Sequence, residues 1–241
     1  MQAPQKGTKL STFRKKWRFF VTPPLIVGLL FSLVLSTSAE TEVYRSVKTD
    51  TKKIAITFDD GPHPHQTEAI LEILDRYGVQ STFFMVGVNV VNYQDAARSV
   101  INRGHEVGNH TFSHCHLKQL DEEKISEELK KCEDALAELC EYHPHLFRPP
   151  EGMINDYIRH CSENYDYRLI LWSIDTRDWE TKNASQIVET VLEQVQPGDI
   201  ILMHDYIGYH SKTAEALEIL LPKLLARGYE PVTVSNLLGI E

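Results

Sequence analysis

Lys53-Ile54-Ala55-Ile56-Thr57-Phe58-Asp59-Asp60-Gly61-Pro62 sets the reading of this chain. The first six residues are short, largely apolar and partly β-branched, which predicts a strand over 53–58. Asp59 to Pro62 leave it as a turn. The following segment predicts a helix over 67–77, with Thr67 as its N-cap and Tyr77-Gly78 as its stop. The same unit recurs outward in sequence. Further strands are expected over 81–86, 105–108, 145–148, 168–174, 199–203 and 229–234, and further helices over 92–103, 121–141, 154–164, 184–195 and 212–227. Asp121-Glu122-Glu123 places negative charge at a helix start, where the dipole favours it. Arg103-Gly104 and Arg227-Gly228 close two other helices. Strands alternating with helices predict an α/β fold with a parallel sheet.

Chemically loaded residues gather at the ends of these strands. In a barrel of parallel strands the carboxyl ends share one face, so residues distant in sequence converge there on one metal and one substrate. Asp59 and Asp60 are adjacent and leave their strand in different directions. One carboxylate can hold a metal while the other takes a proton from water. The same residues also read as a plain surface turn. His110 and His114 stand four apart, one helical turn, which points two imidazoles the same way and suits two ligands of a tetrahedral Zn²⁺. His105 and His116 nearby keep a histidine-rich surface loop open as an alternative. With Asp60 as third ligand, a fourth position stays open for water. Arg148 precedes two prolines, Pro149 and Pro150, and an arginine held rigidly can clamp a carboxylate. Asp175, Asp178 and Trp179 follow another strand, and His204 ends the next. A carboxylate that orients such an imidazole raises its pKa and makes it a general acid. Together the pattern points to metal-assisted hydrolysis.

Composition narrows the class. The chain has 241 residues, of which 42% are hydrophobic, enough for one large domain with a substantial core. Residues 1–39 carry six basic and no acidic residues; from residue 40 onward 19 basic residues face 34 acidic ones, a balance of -15. An acidic body excludes nucleic acid as a partner, because phosphates need basic surfaces. Arg14-Lys15-Lys16-Trp17-Arg18 followed by an apolar run to Leu35 and by Ser36-Thr37-Ser38-Ala39 reads as an N-terminal signal peptide or membrane anchor over 1–39. The positive flank stays inside, so the body is expected outside the cytoplasm, with membrane contact only through that segment. Residues 40–52 read as a linker and 53–241 as the catalytic domain. Cys132 and Cys140 sit on one expected helix, about 12 Å apart along its axis, too far to bridge. The four cysteines read as small buried hydrophobes.

Taken together, the segments resemble the polysaccharide deacetylase family, the nodulation-protein-B homology domain of carbohydrate esterase family four. The resemblance covers roughly residues 52–238, with all five family motifs in order. It implies a distorted seven-stranded (β/α) barrel, acting as a monomer on an acetylated glycan and removing N-acetyl groups with one divalent ion, usually zinc. By the same resemblance Asp59 is the base, and Asp60, His110 and His114 are the metal ligands. Arg148 positions Asp59, Asp178 tunes the acid His204, and Asp175 supports the Arg148 region. Trp179 and Leu202 wall the pocket for the acetyl methyl. One departure stands out: where many members carry tyrosine after the proline pair, this chain has Glu151. The backbone N–H there is the family's oxyanion donor, and it survives any side chain except proline. Peptidoglycan is the first substrate expected and chitooligosaccharide the second. The alternative is an inactive cell-wall protein that binds glycan on the same fold. A phosphoryl-transfer reading of Asp59 lacks a glycine-rich cradle and a basic pocket.

Overall fold

Strand β2, Lys53–Asp59, is the axis of the sheet. Every residue of it after Lys53 is buried, as expected of a parallel strand covered on both faces. The structure, a computed structural model, describes residues 41–208 and 211–240. The segment 1–39 therefore lies outside the described residues. Among the described residues no helix is long and apolar enough to cross a membrane.

The other strands are β1 (Val43–Tyr44), β3 (Thr82–Met85), β4 (Glu106–Asn109), β5 (Leu146–Phe147), β6 (Arg168–Ile170), β7 (Ile174–Asp175), β8 (Ile200–His204) and β9 (Glu230–Val232). They pair in the order β1-β6-β5-β4-β3-β2-β8-β7, with β9 added beside the start of β2. All these pairings are parallel. The result is a curled parallel sheet, the distorted α/β barrel expected, with nine strands among the described residues rather than seven.

Alternation along β2 divides its residues between two of the three buried clusters. Ile54, Ile56 and Phe58 of β2 pack with Phe83, Met85, Ile201 and Met203 against the outer helices α1 (Gln66–Tyr77), α6 (Ala184–Gln194) and α7 (Thr213–Ala226). Ala55 joins Phe84, Leu146, Ile170 and Ile200 in the second cluster, which Val234 and Leu237 of helix α8 (Val234–Leu238) complete. Thr57 and Asp59 share the face of Ala55, so that inner face leads from an apolar floor to a carboxylate. Gly108 on β4 is needed here, because a Cβ on it would come within 2.4 Å of the Phe84 ring.

Several expectations are corrected. The strand expected over 168–174 is two strands, β6 and β7, at opposite sides of the curl. The Arg148 guanidinium donates to the Ile170 and Leu171 carbonyls at 3.3 and 3.0 Å, where β6 ends. Ser173 N–H then donates to Ile200 O at 3.0 Å on the far side, so residues 171–173 form the seam of the barrel. The helix expected over 92–103 breaks at Tyr93, whose φ of -127° and ψ of 52° are not helical, giving α2 (Gly87–Asn92) and α3 (Gln94–Asn102). Thr67 is not the cap of α1: the helix starts at Gln66 and the Thr67 hydroxyl is engaged elsewhere. The linker reading of 40–52 is also revised in its described part, because Val43 and Tyr44 pair with Leu169 and Ile170, and Ser46 bridges to Asp199. The remaining helices, α4 (Glu122–Cys140) and α5 (Asp156–Asn164), fall close to expectation, and all four cysteines are free.

Candidate active site

At the carboxyl end of the sheet a cavity of about 380 Å³ is lined by Asp59, Asp60, His110, His114, Glu151, Trp172, Asp175, Trp179, Leu202 and His204. Nine of the eleven residues singled out from the sequence are among them. The other two, Arg148 and Asp178, stand behind the wall and hold Asp59 and His204.

Asp59 is the last residue of β2 and is only 3% exposed. Arg148 Nη1 donates to its Oδ1 at 2.7 Å and to Thr57 Oγ1 at 2.8 Å. Arg148 is fully buried, and a buried cation is tolerable only when its donors are met. The carboxylate, the Thr57 hydroxyl and the two seam carbonyls meet them, and the guanidinium carbon lies 4.1 Å from the Phe84 ring centroid. The arginine is therefore locked by five neighbours, and Asp59 with it.

Asp60, His110 and His114 offer ligand atoms that all lie within 4.8 Å of one another. Asp60 Oδ1 is 3.4 Å from His110 Nε2 and 3.1 Å from His114 Nε2. Bonds of about 2.0–2.1 Å to a tetrahedral ion set ligand atoms about 3.3 Å apart, so these edges fit a divalent metal. Two further features agree. Asp60 Oδ1 is shielded from solvent and is faced by the two imidazole nitrogens. His110 Nδ1 lies 2.6 Å from the Arg148 carbonyl, which fixes that nitrogen as the N–H donor and turns the Nε2 lone pair inward. Burial pushes the Asp60 carboxyl up, but the two imidazoles outweigh it and hold it well below the usual range. Its contact with Asp60 raises the His114 imidazole in return, against burial.

The histidine pair converges by a different route from the one expected. Residues 110–116 are not helical, because Thr111 and His114 have φ of 68° and 53°, in the left-handed region. Asn109 Oδ1 accepts the Thr111 N–H at 2.8 Å and Thr111 Oγ1 accepts the His114 N–H at 3.1 Å. Glu128 takes the Phe112 and Ser113 N–H groups at 3.1 and 2.8 Å. Side chains in the loop and on α4 thus replace a helical turn as the device that brings both imidazoles to one point.

On the opposite wall His204 Nδ1 meets Asp178 Oδ1 at 2.7 Å. Asp178 Oδ2 accepts the His204 N–H at 2.8 Å and the Thr213 hydroxyl at 2.6 Å. Burial pulls the His204 pKa down, but the Asp178 hydrogen bond and charge, with Asp59 and Asp60 beyond, outweigh it and raise it to about 9. His204 is thus a cation at neutral pH, the form a general acid needs.

The rim is more varied. Glu151 has φ of 58° in a single turn of 3₁₀ helix, Pro150–Gly152. That turn is closed by the Gly152 and Met153 N–H groups, which leaves the Glu151 N–H outside its hydrogen bonds. The Glu151 carboxylate points outward to His116 Nδ1 at 3.1 Å. Leu202 is buried and Trp179 is half exposed, its ring facing the Arg177 guanidinium at 5.5 Å. Asp175 lines the cavity beside them. Its Oδ1 takes the Arg177 N–H at 2.9 Å, and among the described residues nothing joins it to Arg148. Thr57, Asn109, Glu128, Thr213 and Asp205 were not singled out from the sequence, and all five are polar groups that hold a functional residue rather than line the cavity.

Comparison with known proteins agrees with this geometry. The polysaccharide deacetylase family model matches residues 46–170. A peptidoglycan-N-acetylglucosamine deacetylase of Bacillus cereus is 39% identical over 194 residues, 80% of this chain and 91% of its own length. A chitooligosaccharide deacetylase of Rhizobium leguminosarum bv. trifolii is 36% identical over 191 residues, 75% of this chain and 89% of its own length. Among solved structures, the Bc1960 peptidoglycan N-acetylglucosamine deacetylase in complex with 4-naphthalen-1-yl-N-oxidanyl-benzamide superposes with a TM-score of 0.77 at 32% identity, covering 80% of this chain and 91% of that one.

Proposed function

The chain belongs to the polysaccharide deacetylase family, and on that premise we propose that it removes N-acetyl groups from N-acetylglucosamine-type residues of peptidoglycan, with chitooligosaccharide as the second substrate. The observation that carries this reading is the convergence around one cavity of a metal-competent Asp60–His110–His114 set, a carboxylate held by arginine and an imidazolium held by Asp178. Relatives at 39% and 36% identity support the two glycans in that order.

Asp60, His110 and His114 would hold the ion, and Zn²⁺ is proposed because it takes such nitrogen and oxygen donors in open three-ligand sites. When bound, it supplies Lewis-acid polarisation of the acetyl carbonyl and lowers the pKa of water. The chain's own residues do the rest. Asp59 borders the metal set, its Oδ2 3.8 Å from His110 Nε2, and takes the proton of the attacking water. Arg148 keeps that carboxylate aimed at the cavity. The Glu151 N–H donates to the oxygen on which negative charge develops. His204 gives its Nε2 proton to the departing nitrogen, so that the C–N bond breaks to acetate and a free amine. Asp178 holds the Nδ1 proton throughout. Leu202 and Trp179 wall the acetyl methyl and exclude water from it.

The basic flank and apolar run before Ser36 support a location outside the cytoplasmic membrane, where a wall glycan is met. Acetate release from acetylated peptidoglycan and chitooligosaccharides, with mass spectrometry of the products, tests the proposal. Losses of one acetyl group per N-acetylglucosamine are expected, and an aryl hydroxamate should inhibit. A zinc-loaded protein that released no acetate from any of these glycans would overturn it.

A further inference from the structure

Asp205, the residue after the acid His204, is 1% exposed and has no place in the reaction above. Its backbone N–H donates to the Asp59 carbonyl at 3.1 Å, continuing the β2–β8 register by one step. Its side chain then turns back over the loop that leaves β2. Oδ1 accepts the Gly61 N–H at 3.0 Å and Oδ2 accepts the Thr67 hydroxyl at 2.5 Å. The Thr67 oxygen in turn accepts the His63 N–H at 2.8 Å. Asp205 thus grips the chain on both sides of Asp60, at the carbonyl before it and at the N–H after it.

Asp60 needs such a grip. Its φ is 75°, a left-handed conformation that is unfavourable for a residue with a side chain and persists only where the surroundings over-determine it. Asn89 adds a hydrogen bond to the Asp60 carbonyl at 2.7 Å, and Val86 N–H takes the Gly61 carbonyl at 2.9 Å. Gly61 belongs to the same device: a Cβ there would lie 2.0 Å from Asp205 Oδ2 and 2.4 Å from its Oδ1. The glycine is required for the carboxylate's approach.

We propose that Asp205 is a positioning residue of the metal site, its buried carboxylate locking the Asp59–Gly61 turn so that Asp60 Oδ1 meets His110 and His114. The inference rests on the reading of Asp60, His110 and His114 as the metal set. Asp205→Ala removes the acceptor of the Gly61 N–H, frees the turn and weakens the ion by about ten- to a hundredfold, the cost of losing an outer partner of a ligand. Asp205→Asn keeps an amide oxygen for Gly61 and recovers part of that affinity. Gly61→Ala displaces the carboxylate and weakens the ion as Asp205→Ala does.

The test is a competitive zinc titration of the purified full chain against a fluorescent chelator, with the melting temperature of each metal-free variant recorded beside it. Leu224→Ala, a core truncation in α7 away from the cavity, serves as the control for general destabilisation. The expected order of zinc dissociation constants is wild type, with Leu224→Ala equal to it, then Asp205→Asn, then Asp205→Ala and Gly61→Ala. His110→Ala is titrated in parallel. If it loses zinc while Asp205→Ala, Asp205→Asn and Gly61→Ala all bind as wild type, the positioning role is overturned. If His110→Ala binds zinc like wild type, the metal set itself is wrong and the inference falls with it. Should Asp205→Ala not fold, Asp205→Asn and Gly61→Ala decide the matter by the same criterion.

Discussion

Asp178→Asn isolates the proton that His204 must deliver. In the wild type, Asp178 accepts three hydrogen bonds, from the His204 ring, the His204 backbone and Thr213. An asparagine can keep its oxygen toward the ring, but its NH₂ then faces the His204 N–H, a donor that cannot turn away. The charge is lost in either orientation. His204 is raised from 6.5 to about 9, with the Asp178 bond and charge the largest of the influences that overcome burial. Without that charge its pKa falls back toward about 6.5. A general acid works only while protonated. At pH 8 the protonated fraction falls from about 0.9 to about 0.03, roughly thirtyfold, whereas at pH 6 it changes by less than about twofold. A loss of positioning adds a factor that is the same at both pH values. The assay is kcat/KM for acetate release from pH 5.5 to 9.5. The ratio of wild type to variant should grow about twentyfold between pH 6 and pH 8, with the alkaline limb moved down by about two and a half units. A ratio that stays constant with pH would refute the assignment of His204 as an acid tuned by Asp178.

Asp59→Asn should bind zinc like wild type yet lose activity by at least about a hundredfold, the typical contribution of a positioned base; loss of zinc together with activity would show that the two aspartates are assigned the wrong way round. Glu151→Tyr should leave turnover on a small acetylated sugar within about tenfold, roughly 1.4 kcal/mol of barrier, while Glu151→Pro should cost about a hundredfold by removing an oxyanion donor. Normal turnover in the proline variant would remove the Glu151 N–H from the mechanism. The raised His204 pKa also bears on folding: its contribution, of order 3 kcal/mol, is fully present below about pH 6.5 and is lost as pH rises through about 9. The melting temperature of the metal-free wild type should therefore fall more between pH 6.5 and pH 9.5 than that of Asp178→Asn, and parallel declines in the two would count against the shift.

The α/β class and the strand ends that carry the site were legible because those strands are apolar runs that stop at a titratable residue, as at Phe58-Asp59 and Met203-His204. The site residues were legible as chemistry for the same reason, and the cavity gathers nine of them. What the sequence did not reveal is how the backbone is held. Positive φ at Asp60, Thr111 and His114 is carried by non-glycine residues, and nothing in their side chains announces it. The spacing of His110 and His114 suggested a helical turn, whereas side-chain hydrogen bonds from Asn109, Thr111 and Glu128 shape the loop instead. The break between β6 and β7 is bound by Arg148, more than twenty residues earlier, which donates to the Ile170 and Leu171 carbonyls. Asp205 follows His204 at the end of a strand, and its partners Gly61 and Thr67 are 144 and 138 residues away. Long-range polar contacts of this kind leave no local period or composition to read.

The central claim is that acetate release depends on an ion held by Asp60, His110 and His114. The most direct measurement adds zinc stepwise to the metal-free full chain and follows acetate release from acetylated peptidoglycan. Activity should rise from background and saturate at one ion per chain, while His110→Ala stays at background throughout. Full acetate release by the metal-free protein in the presence of a strong chelator would contradict the account.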